Sequence, residues 1–194
     1  MEKSPKLAQY KALLIKWSKA VNLVAPSTLS DSDSRHFKDS LQLVPFIPLE
    51  AKTLFDLGSG AGFPGMVLAM ARPEIAVHLF ESDQKKCAFL ATVSRETDTP
   101  VLIHNRRIEK VDENLTLLPD VITARALASL EELLGLTEQW WSRNPQVVLI
   151  FPKGEKAEAE LIEARKKYEF DATLTPSQTD NRAKILRLTN VRNV

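Results

Sequence analysis

The chain has 194 residues, of which 44% are hydrophobic and 26% are charged, and its formal net charge is +1. This composition is ordinary for a soluble globular protein, and the length suits one well-cored domain rather than two. The near-zero net charge does not by itself indicate a nucleic-acid-binding protein. Residues 1–50 carry seven Lys or Arg against five Asp or Glu, and residues 151–194 carry nine against seven. Mildly basic ends therefore flank a mildly acidic centre, which weakly favours a polyanion held at the periphery.

The single cysteine, Cys87, excludes a disulfide framework and a cysteine-rich zinc site. The N-terminal sequence lacks an apolar signal-peptide core, and no segment approaches ~20 continuous apolar residues. We therefore expect a cytoplasmic protein with no membrane-spanning segment and no bound metal.

The first fifty residues are predicted to form an N-terminal helical extension. Apolar residues recur at helical spacing over residues 5–24, and a second helical pattern over 35–44 ends at Pro45 and Pro48. From residue 53 short apolar runs alternate with helical patterns. The predicted strands are 53–57, 77–81, 101–104, 120–124, 146–151, 170–175 and 184–191, and the predicted helices are 65–71, 84–96, 129–141 and 155–168.

Strands that alternate with helices imply right-handed crossovers and a mostly parallel, doubly wound sheet. Residues 51–194 are therefore predicted to form a Rossmann-like α/β core, which makes one domain together with the extension. Ligands of such sheets bind at the carboxyl ends of the strands, near the point where the strand order reverses.

A glycine-rich stretch, "DLGSGAGFPG", follows the first predicted strand at residues 56–65. It fits two ligand patterns. Gly60, Gly62 and Gly65 satisfy the dinucleotide pattern G-x-G-x-x-G, and Asp56 with the glycines at 58, 60 and 62 satisfies the S-adenosylmethionine pattern D-x-G-x-G-x-G.

Chemistry favours S-adenosylmethionine as the ligand of this loop. A dinucleotide needs free N–H groups at a helix start for its pyrophosphate, but Pro64 has no N–H and Asp56 would place a carboxylate near an anion. S-adenosylmethionine has no phosphate and carries two cationic groups. Glu81, at the end of the second strand, can accept hydrogen bonds from ribose hydroxyls of either adenosine cofactor. A nicotinamide or flavin cofactor, and a glycine turn that binds nothing, remain open alternatives at this point.

Joined together, these residues make the chain resemble the bacterial 16S ribosomal RNA guanine-N7 methyltransferases, also called the glucose-inhibited division protein B family. The resemblance runs from "NLVAPSTLSDSDSRHFKDSL" through "DLGSGAGFPG", "LFESDQKKCAFL" and "TARALASL" to "FPKG". It implies an S-adenosylmethionine-dependent methyltransferase that modifies N7 of a guanine in 16S ribosomal RNA.

The resemblance also implies a set of site residues. The cofactor residues would be Asp56, Gly58, Ser59, Gly60, Gly62, Phe63 and Pro64 in the loop, Glu81 and Ser82 at the ribose, Ile108 and Glu109 at the adenine, and Arg125 at the reacting end. Asn22, His36, Asp39, Lys153 and Arg182 would line the substrate side, and His36, Asp39, Arg125 and Lys153 would place the substrate for catalysis. His36, Asp39 and Ser40 stand at i, i+3 and i+4, on one face of the predicted helix.

Methylation at N7 is consistent with the absence of a sequence motif for methylating an exocyclic amine. N7 has an in-plane lone pair and no hydrogen, so no general base is obligatory and catalysis reduces to positioning and electrostatics. No Asn/Asp-Pro-Pro-Tyr/Phe motif, typical of exocyclic amine methylation, follows the fourth strand. The expected partner is 16S ribosomal RNA or the small ribosomal subunit, and nothing demands more than a monomer. A small-molecule or protein methyltransferase of the same fold, and a non-catalytic RNA-binding module, remain alternatives.

Overall fold

The computed structural model describes residues 4–110 and 117–194. The helical elements are α1 (Pro5–Trp17), α2 (Pro26–Leu29), a π-helical turn (Asp33–Lys38), α3 (Asp39–Leu41), a 3-10 turn (Val44–Phe46), α4 (Gly65–Ala71), α5 (Gln84–Glu96), a second 3-10 turn (Ile108–Lys110), α6 (Leu130–Trp141) and α7 (Ala157–Ala164). The strands are β1 (Thr53–Leu57), β2 (Ala76–Glu81), β3 (Leu102–Asn105), β4 (Val121–Ala124), β5 (Val148–Lys153), β6 (Tyr168–Pro176) and β7 (Lys184–Asn193). None of the helices in these described ranges combines the length and the apolar character needed to cross a membrane.

Within the described residues the strands form one sheet in the order β3-β2-β1-β4-β5-β7-β6. Strands β1 to β5 are parallel, and β7 runs antiparallel to both β5 and β6. The mostly parallel, Rossmann-like α/β fold predicted from the sequence is therefore confirmed. The strand order reverses between β1 and β4, so the switch point lies where the fold rule places a ligand.

Alternating side chains along each strand divide the core into two layers. In β1, Leu54 joins the cluster under α1, α4 and α5, and Phe55 joins the cluster under α6 and α7. Both side chains are almost fully buried. This period of two, with apolar residues on both faces, is what a parallel sheet covered by helices on each side requires.

The N-terminal segment shares the core of the sheet. Tyr10 and Leu14 of α1 are fully buried in the same cluster as β1 and α4. The Tyr10 ring stacks on Phe63 with centroids 5.3 Å apart, and its hydroxyl donates to the Ala61 carbonyl. Helix α1 therefore covers the glycine loop from behind. The division into an extension (1–50) and a core (51–194) stays a prediction, and residues 1–3 lie outside the described part.

The predicted helix over residues 5–24 is too long, because α1 ends at Trp17. The chain then continues through turns in which the Ala20 and Val21 N–H groups both donate to the Trp17 carbonyl. Ser18 and Asn22 have weak helix propensity, and Leu23 is buried beyond the turn. Tertiary packing of Leu23 thus overrides the helical spacing that the sequence displays.

The predicted helix over residues 35–44 is instead a π-helical turn followed by the short helix α3. The Asp39 N–H donates to the Ser34 carbonyl five residues earlier, which is the π pattern. Such turns are rare and occur frequently at functional sites. After residue 51 the predicted bounds of the strands and helices agree with the observed bounds within two residues, except for the charged helix. That helix was predicted over 155–168, but α7 ends at Ala164 and β6 already begins at Tyr168.

We expect Gly65→Ala to destabilise the fold by about 1–3 kcal/mol, the usual cost of overpacking a core. A Cβ at Gly65 would stand 2.5 Å from Leu79 Cδ2 and 2.7 Å from Asp56 Oδ2. Gly154 is the matched control, since a Cβ there meets nothing within 4 Å. Urea denaturation of both variants checks the prediction, and equal stabilities would contradict it.

Candidate functional site

Two cavities open at the carboxyl ends of the strands, on either side of the switch point. The cavity beside the glycine loop measures about 710 Å³ and is lined from the ends of β1, β2 and β3. The second measures about 440 Å³ and is lined from the ends of β4 and β5 and from the N-terminal segment. Ala128, in the loop after β4, lines both. We call them the loop cavity and the arginine cavity.

The glycine loop makes a tight turn that only glycine adopts easily. Gly58, Gly60 and Gly62 have φ angles of +66°, +56° and +91°. At Gly62 a Cβ would also stand 2.6 Å from the Tyr10 hydroxyl oxygen, so a larger residue would displace α1. Of the predicted loop residues, Gly58 and Gly60 line the loop cavity.

Asp56 lies beneath the loop, fully buried. Its Oδ2 accepts from the Gly65 N–H at 3.2 Å, and its Oδ1 accepts from the Thr123 hydroxyl at 2.8 Å. Burial raises the pKa of this carboxyl to about 6, partly opposed by the hydrogen bond from Thr123. The carboxylate therefore occupies the start of α4, where a pyrophosphate would otherwise bind. The side chain has no exposed atom with which to contact a cofactor directly.

The first three positions at the start of α4 leave no free N–H group for an anion. Pro64 lacks an N–H, the Gly65 N–H donates to Asp56, and the Met66 N–H donates to the Gly62 carbonyl. These three positions hold the donors that a dinucleotide would need. The donor set thus fits a phosphate-free adenosine cofactor such as S-adenosylmethionine and does not fit a dinucleotide.

Glu81 ends β2 at the wall of the loop cavity and is mostly buried. Its Oε2 accepts from the Gly60 N–H at 2.8 Å, and its Oε1 accepts from the Asp83 N–H at 2.8 Å. Each carboxylate oxygen has two acceptor positions, so one remains on each for a ligand hydroxyl. Glu81 therefore both fixes the loop and keeps the acceptors predicted for a ribose.

The other predicted cofactor residues divide into two groups. Ser82, Ile108 and Glu109 line the loop cavity with Gly58, Gly60 and Glu81. The remaining four are buried behind the loop: Ser59, Gly62, Phe63 and Pro64. Ser59 donates from its N–H to the Phe80 carbonyl and from its hydroxyl to the Asp56 carbonyl. Their assignment to the cofactor stays a prediction, and the structure gives the buried group a part in supporting the loop.

Arg125 joins three segments at the wall of the arginine cavity. Its Nη1 donates to Asp39 Oδ2 at 3.1 Å and to the Arg35 carbonyl at 3.2 Å. Its Nη2 donates to His36 Nδ1 at 3.3 Å, and the guanidinium lies 5.2 Å from the Phe63 ring centroid. Three of its five N–H donors are engaged in this way, which leaves two for a ligand. The structure brings the predicted residues 36, 39 and 125 together.

His36 is held neutral in one tautomer. Its Nδ1 accepts from Arg125, so its Nε2 carries the proton and donates to the Thr28 hydroxyl at 2.9 Å, which in turn donates to the Ala25 carbonyl at 2.8 Å. Burial, with the nearby Arg125 charge, lowers the pKa of His36 from 6.5 to about 4. The imidazole also stacks on Phe63. His36 thus acts as a fixed neutral support for the guanidinium.

Lys153 lines the arginine cavity but already has two partners. Its ammonium donates to the Ala128 carbonyl at 2.6 Å and lies 2.8 Å from Glu160 Oε2. The same Glu160 oxygen accepts from the Leu130 N–H at 2.7 Å. Lys153 therefore ties β5 to the loop after β4, and one ammonium donor remains for a ligand. Its predicted phosphate contact stays a prediction.

Asn22 and Arg182 are not among the residues that line either cavity. Asn22 lies in the turn after α1. The Arg182 side chain is 68% exposed and lies 3.6 Å from Asp180, which does line the arginine cavity. Their predicted contact with substrate stays a prediction, and it requires a ligand that extends beyond the cavity.

Sequence reasoning missed several lining residues. Ala126 adopts a φ of +52°, which is unusual for a residue with a Cβ, and it separates Arg125 in one cavity from Leu127 in the other. Ala126 and Leu127 come shortly after the end of β4, and this position at a strand end was the signal that could have identified them. Thr28 and Thr179 carried no such signal, because the fold alone brings them to the arginine cavity.

Solved structures with a similar fold include a protein named as a methyltransferase and a protein solved with S-adenosylmethionine bound. A putative O-methyltransferase from Klebsiella pneumoniae matches with a TM-score of 0.64 and 12% identity, covering 98% of this chain and 92% of that one. A mutant of MtNAS solved in complex with S-adenosylmethionine matches with a TM-score of 0.61 and 11% identity, covering 95% and 74%. At these identities the likeness shows the fold alone, a Rossmann-like α/β sheet. Together with the donor set of the loop cavity, this fold defines the class: a Rossmann-like protein with a site for a phosphate-free adenosine cofactor such as S-adenosylmethionine.

Sequence relatives narrow the class. Residues 3–186 match the family GidB, described as rRNA small subunit methyltransferase G. Relatives named ribosomal RNA small subunit methyltransferase G include one from Paramagnetospirillum magneticum (48% identity, 96% of this chain and 88% of that one) and one from Methylorubrum extorquens (44%, 100% and 91%). The chain belongs to the rRNA small subunit methyltransferase G family.

We expect Glu81→Gln to weaken binding of S-adenosylhomocysteine about 10-fold or more, the usual size of a lost hydrogen bond to a charged group. The amide nitrogen would face one of the two N–H donors that now bind the carboxylate. Titration calorimetry measures the affinity, with the exposed Glu169→Gln as control. Equal affinities of the two variants would contradict the assignment of Glu81.

The depressed pKa of His36 predicts a pH-dependent stability. Between pH 6.5 and about 4 the unfolded chain binds a proton at His36 that the folded chain does not, so stability falls as pH drops. The raised pKa of Asp56 acts in the opposite direction, because the folded chain protonates first, but this contribution is common to both proteins compared. The stability gap between wild type and His36→Gln should therefore narrow from pH 7 to pH 5 in urea denaturation. A constant gap would contradict it.

Proposed function

We propose that this protein methylates N7 of a guanine in 16S ribosomal RNA of the small subunit. Membership of the rRNA small subunit methyltransferase G family supports the RNA class. The base would enter the arginine cavity, and the methyl donor would be held in the loop cavity by Gly58, Gly60, Glu81, Ser82 and the 108–109 turn. S-adenosylmethionine supplies an electrophilic methyl group on a sulfonium sulfur.

One observation carries the choice of N7: among the described residues of the arginine cavity, every candidate base is already committed. His36 Nδ1 accepts from Arg125, and the three carboxylates, Asp39, Glu160 and Asp180, are ion-paired. Methylation of an exocyclic amine or a hydroxyl releases a proton that some group must accept. Guanine N7 attacks through its lone pair and releases none, which matches a cavity built for positioning.

The free donors of the cavity suit guanine and a phosphate. Two N–H groups of Arg125 remain available, and guanine presents O6 and N7 as acceptors on one edge. Arg125 donating to O6 would leave the N7 lone pair directed at the methyl group. The remaining donor of Lys153 suits a phosphate oxygen. We further propose that the protein acts in the cytoplasm and as a monomer.

The direct test maps the transferred methyl group. Small subunits and free 16S ribosomal RNA from a strain lacking the protein are incubated with the purified protein and radiolabelled S-adenosylmethionine. We expect label at N7 of one guanine. Label on an exocyclic nitrogen or a pyrimidine, or no label on either substrate, would overturn the proposal.

Arg125→Lys provides the matched variant. Lysine keeps the charge but presents a point ammonium in place of the planar fork that bonds Asp39, His36 and the Arg35 carbonyl. We expect kcat to fall about 100-fold or more, as for a lost positioning or charge-stabilising donor. S-adenosylhomocysteine affinity should fall much less, because Arg125 lines the arginine cavity and not the loop cavity, and its predicted contact with the reacting end of the cofactor stays a prediction. Methyl transfer at the wild-type rate would show that Arg125 does not orient the base.

A further inference from the structure

Gln42 is a buried polar residue just after α3, at the junction between the N-terminal segment and the turn that joins β6 to β7. It is 6% exposed. Neither cavity includes it among its lining residues. Its side-chain amide nevertheless makes hydrogen bonds to two of the segments that line the arginine cavity, the N-terminal segment and the β6–β7 turn, so its role is not that of a simple core residue.

The amide oxygen of Gln42 holds the β6–β7 turn. It accepts from the Gln178 N–H at 2.7 Å and from the Ser177 hydroxyl at 3.3 Å. Ser177 Oγ also accepts from the Thr179 N–H at 3.2 Å, which closes the turn on itself. The side chain of Gln42 thus supplies an acceptor that the Gln178 N–H would otherwise need from the backbone.

The amide nitrogen of Gln42 holds Asp39. Its Nε2 donates to Asp39 Oδ1 at 2.8 Å, and the Thr179 hydroxyl donates to the same oxygen at 2.7 Å. With Oδ1 bound by these two donors, Oδ2 faces Nη1 of Arg125 at 3.1 Å. The orientation of the Asp39 carboxylate, and with it the guanidinium plane, therefore depends on Gln42 and on the turn that Gln42 fixes.

We propose that Gln42 is a positioning residue for methyl transfer, which acts through Asp39 on Arg125. This inference rests on the proposed function, because it assigns Arg125 to the substrate base. Gln42 would not touch the base. It sets the angle of the guanidinium and locks the turn bearing Thr179 and Asp180 against the cavity. Loss of its amide removes one of the two donors that hold Asp39 Oδ1 and releases the turn that carries the other, Thr179, so the carboxylate can rotate away from Arg125.

Gln42→Met tests the proposal, since methionine keeps the length of the side chain and removes both hydrogen-bonding groups. We expect kcat on the RNA substrate to fall about 10- to 100-fold, the range for a small misplacement of a catalytic group. Affinity for S-adenosylhomocysteine should stay within about twofold of wild type, because the loop cavity is not involved.

Thr97→Val is the control for a purely structural effect. Thr97 is also buried, at the end of α5 and away from both cavities. Its hydroxyl donates to the Val93 carbonyl and is hydrogen-bonded to the Thr99 hydroxyl. We expect this variant to lose thermal stability and keep its kcat. A kcat for Gln42→Met equal to wild type, or reduced only as far as that of an equally destabilised Thr97→Val, would overturn the proposal.

Gln42→Glu adds a second measurement, the pH dependence of kcat, which a change in packing alone would not alter. At pH 8 the carboxylate of this variant would face Asp39 and repel it, whereas at lower pH the protonated acid would carry a hydroxyl able to donate to Asp39. The charged or titratable groups around this junction are Arg35, His36, Asp39, Arg125 and Asp180. His36, with its pKa near 4, stays neutral over the range tested.

We therefore expect the kcat of Gln42→Glu, relative to wild type, to rise as the pH is lowered from 8 to 6. A pH-independent ratio would contradict the coupling to Asp39. The two proposals fail separately. If wild type places no methyl group on N7 the proposed function is lost, and if wild type does so while Gln42→Met is equally fast, only the role of Gln42 is lost.

Discussion

The ion pair between Arg125 and Asp39 is the constraint on which the site depends. It joins the loop after β4 to the N-terminal segment, and its side chains are 19% and 18% exposed. A pair this poorly solvated is favourable only when its remaining donors and acceptors are satisfied. The structure satisfies them with the Arg35 carbonyl, His36, Gln42 and Thr179, except for the two guanidinium N–H groups that face the cavity and remain for a ligand. The arginine cavity exists because these segments meet at one guanidinium.

A second buried carboxylate, Asp56, shapes the other half of the site. Its burial raises its pKa, and in return it binds the Gly65 N–H at the start of α4 and the Thr123 hydroxyl of β4. The sequence suggested that this acid sits beside a cationic cofactor. The structure gives a different reason for the preference for a phosphate-free cofactor. The Asp56 carboxylate already binds the N–H group at the start of α4 that a pyrophosphate would need.

Much of the fold followed from local patterns. Short apolar runs alternating with amphipathic stretches predicted the α/β sheet, because a parallel sheet buries both faces and its helices only one. Apart from the shortened helix α7, the errors fell in the N-terminal segment. There the helical spacing was real, but α1 ends before the buried Leu23, and the π-helical turn at Asp33–Lys38 carries His36 into contact with Arg125. Such contacts have no local signature.

Residue types alone were enough to define the class of cofactor loop, through Asp56, its glycines, Pro64 and Glu81, because backbone freedom and a missing N–H belong to the residue itself. The motifs also marked His36, Asp39 and Arg125. What these three groups do was decided by the folded chain. Protonation, tautomer and free donors depend on partners such as Thr28, Gln42 and Thr179, and the hydrogen bond from Thr179 to Asp39 spans 140 residues of sequence. Hydrogen bonding at that separation is set by the fold.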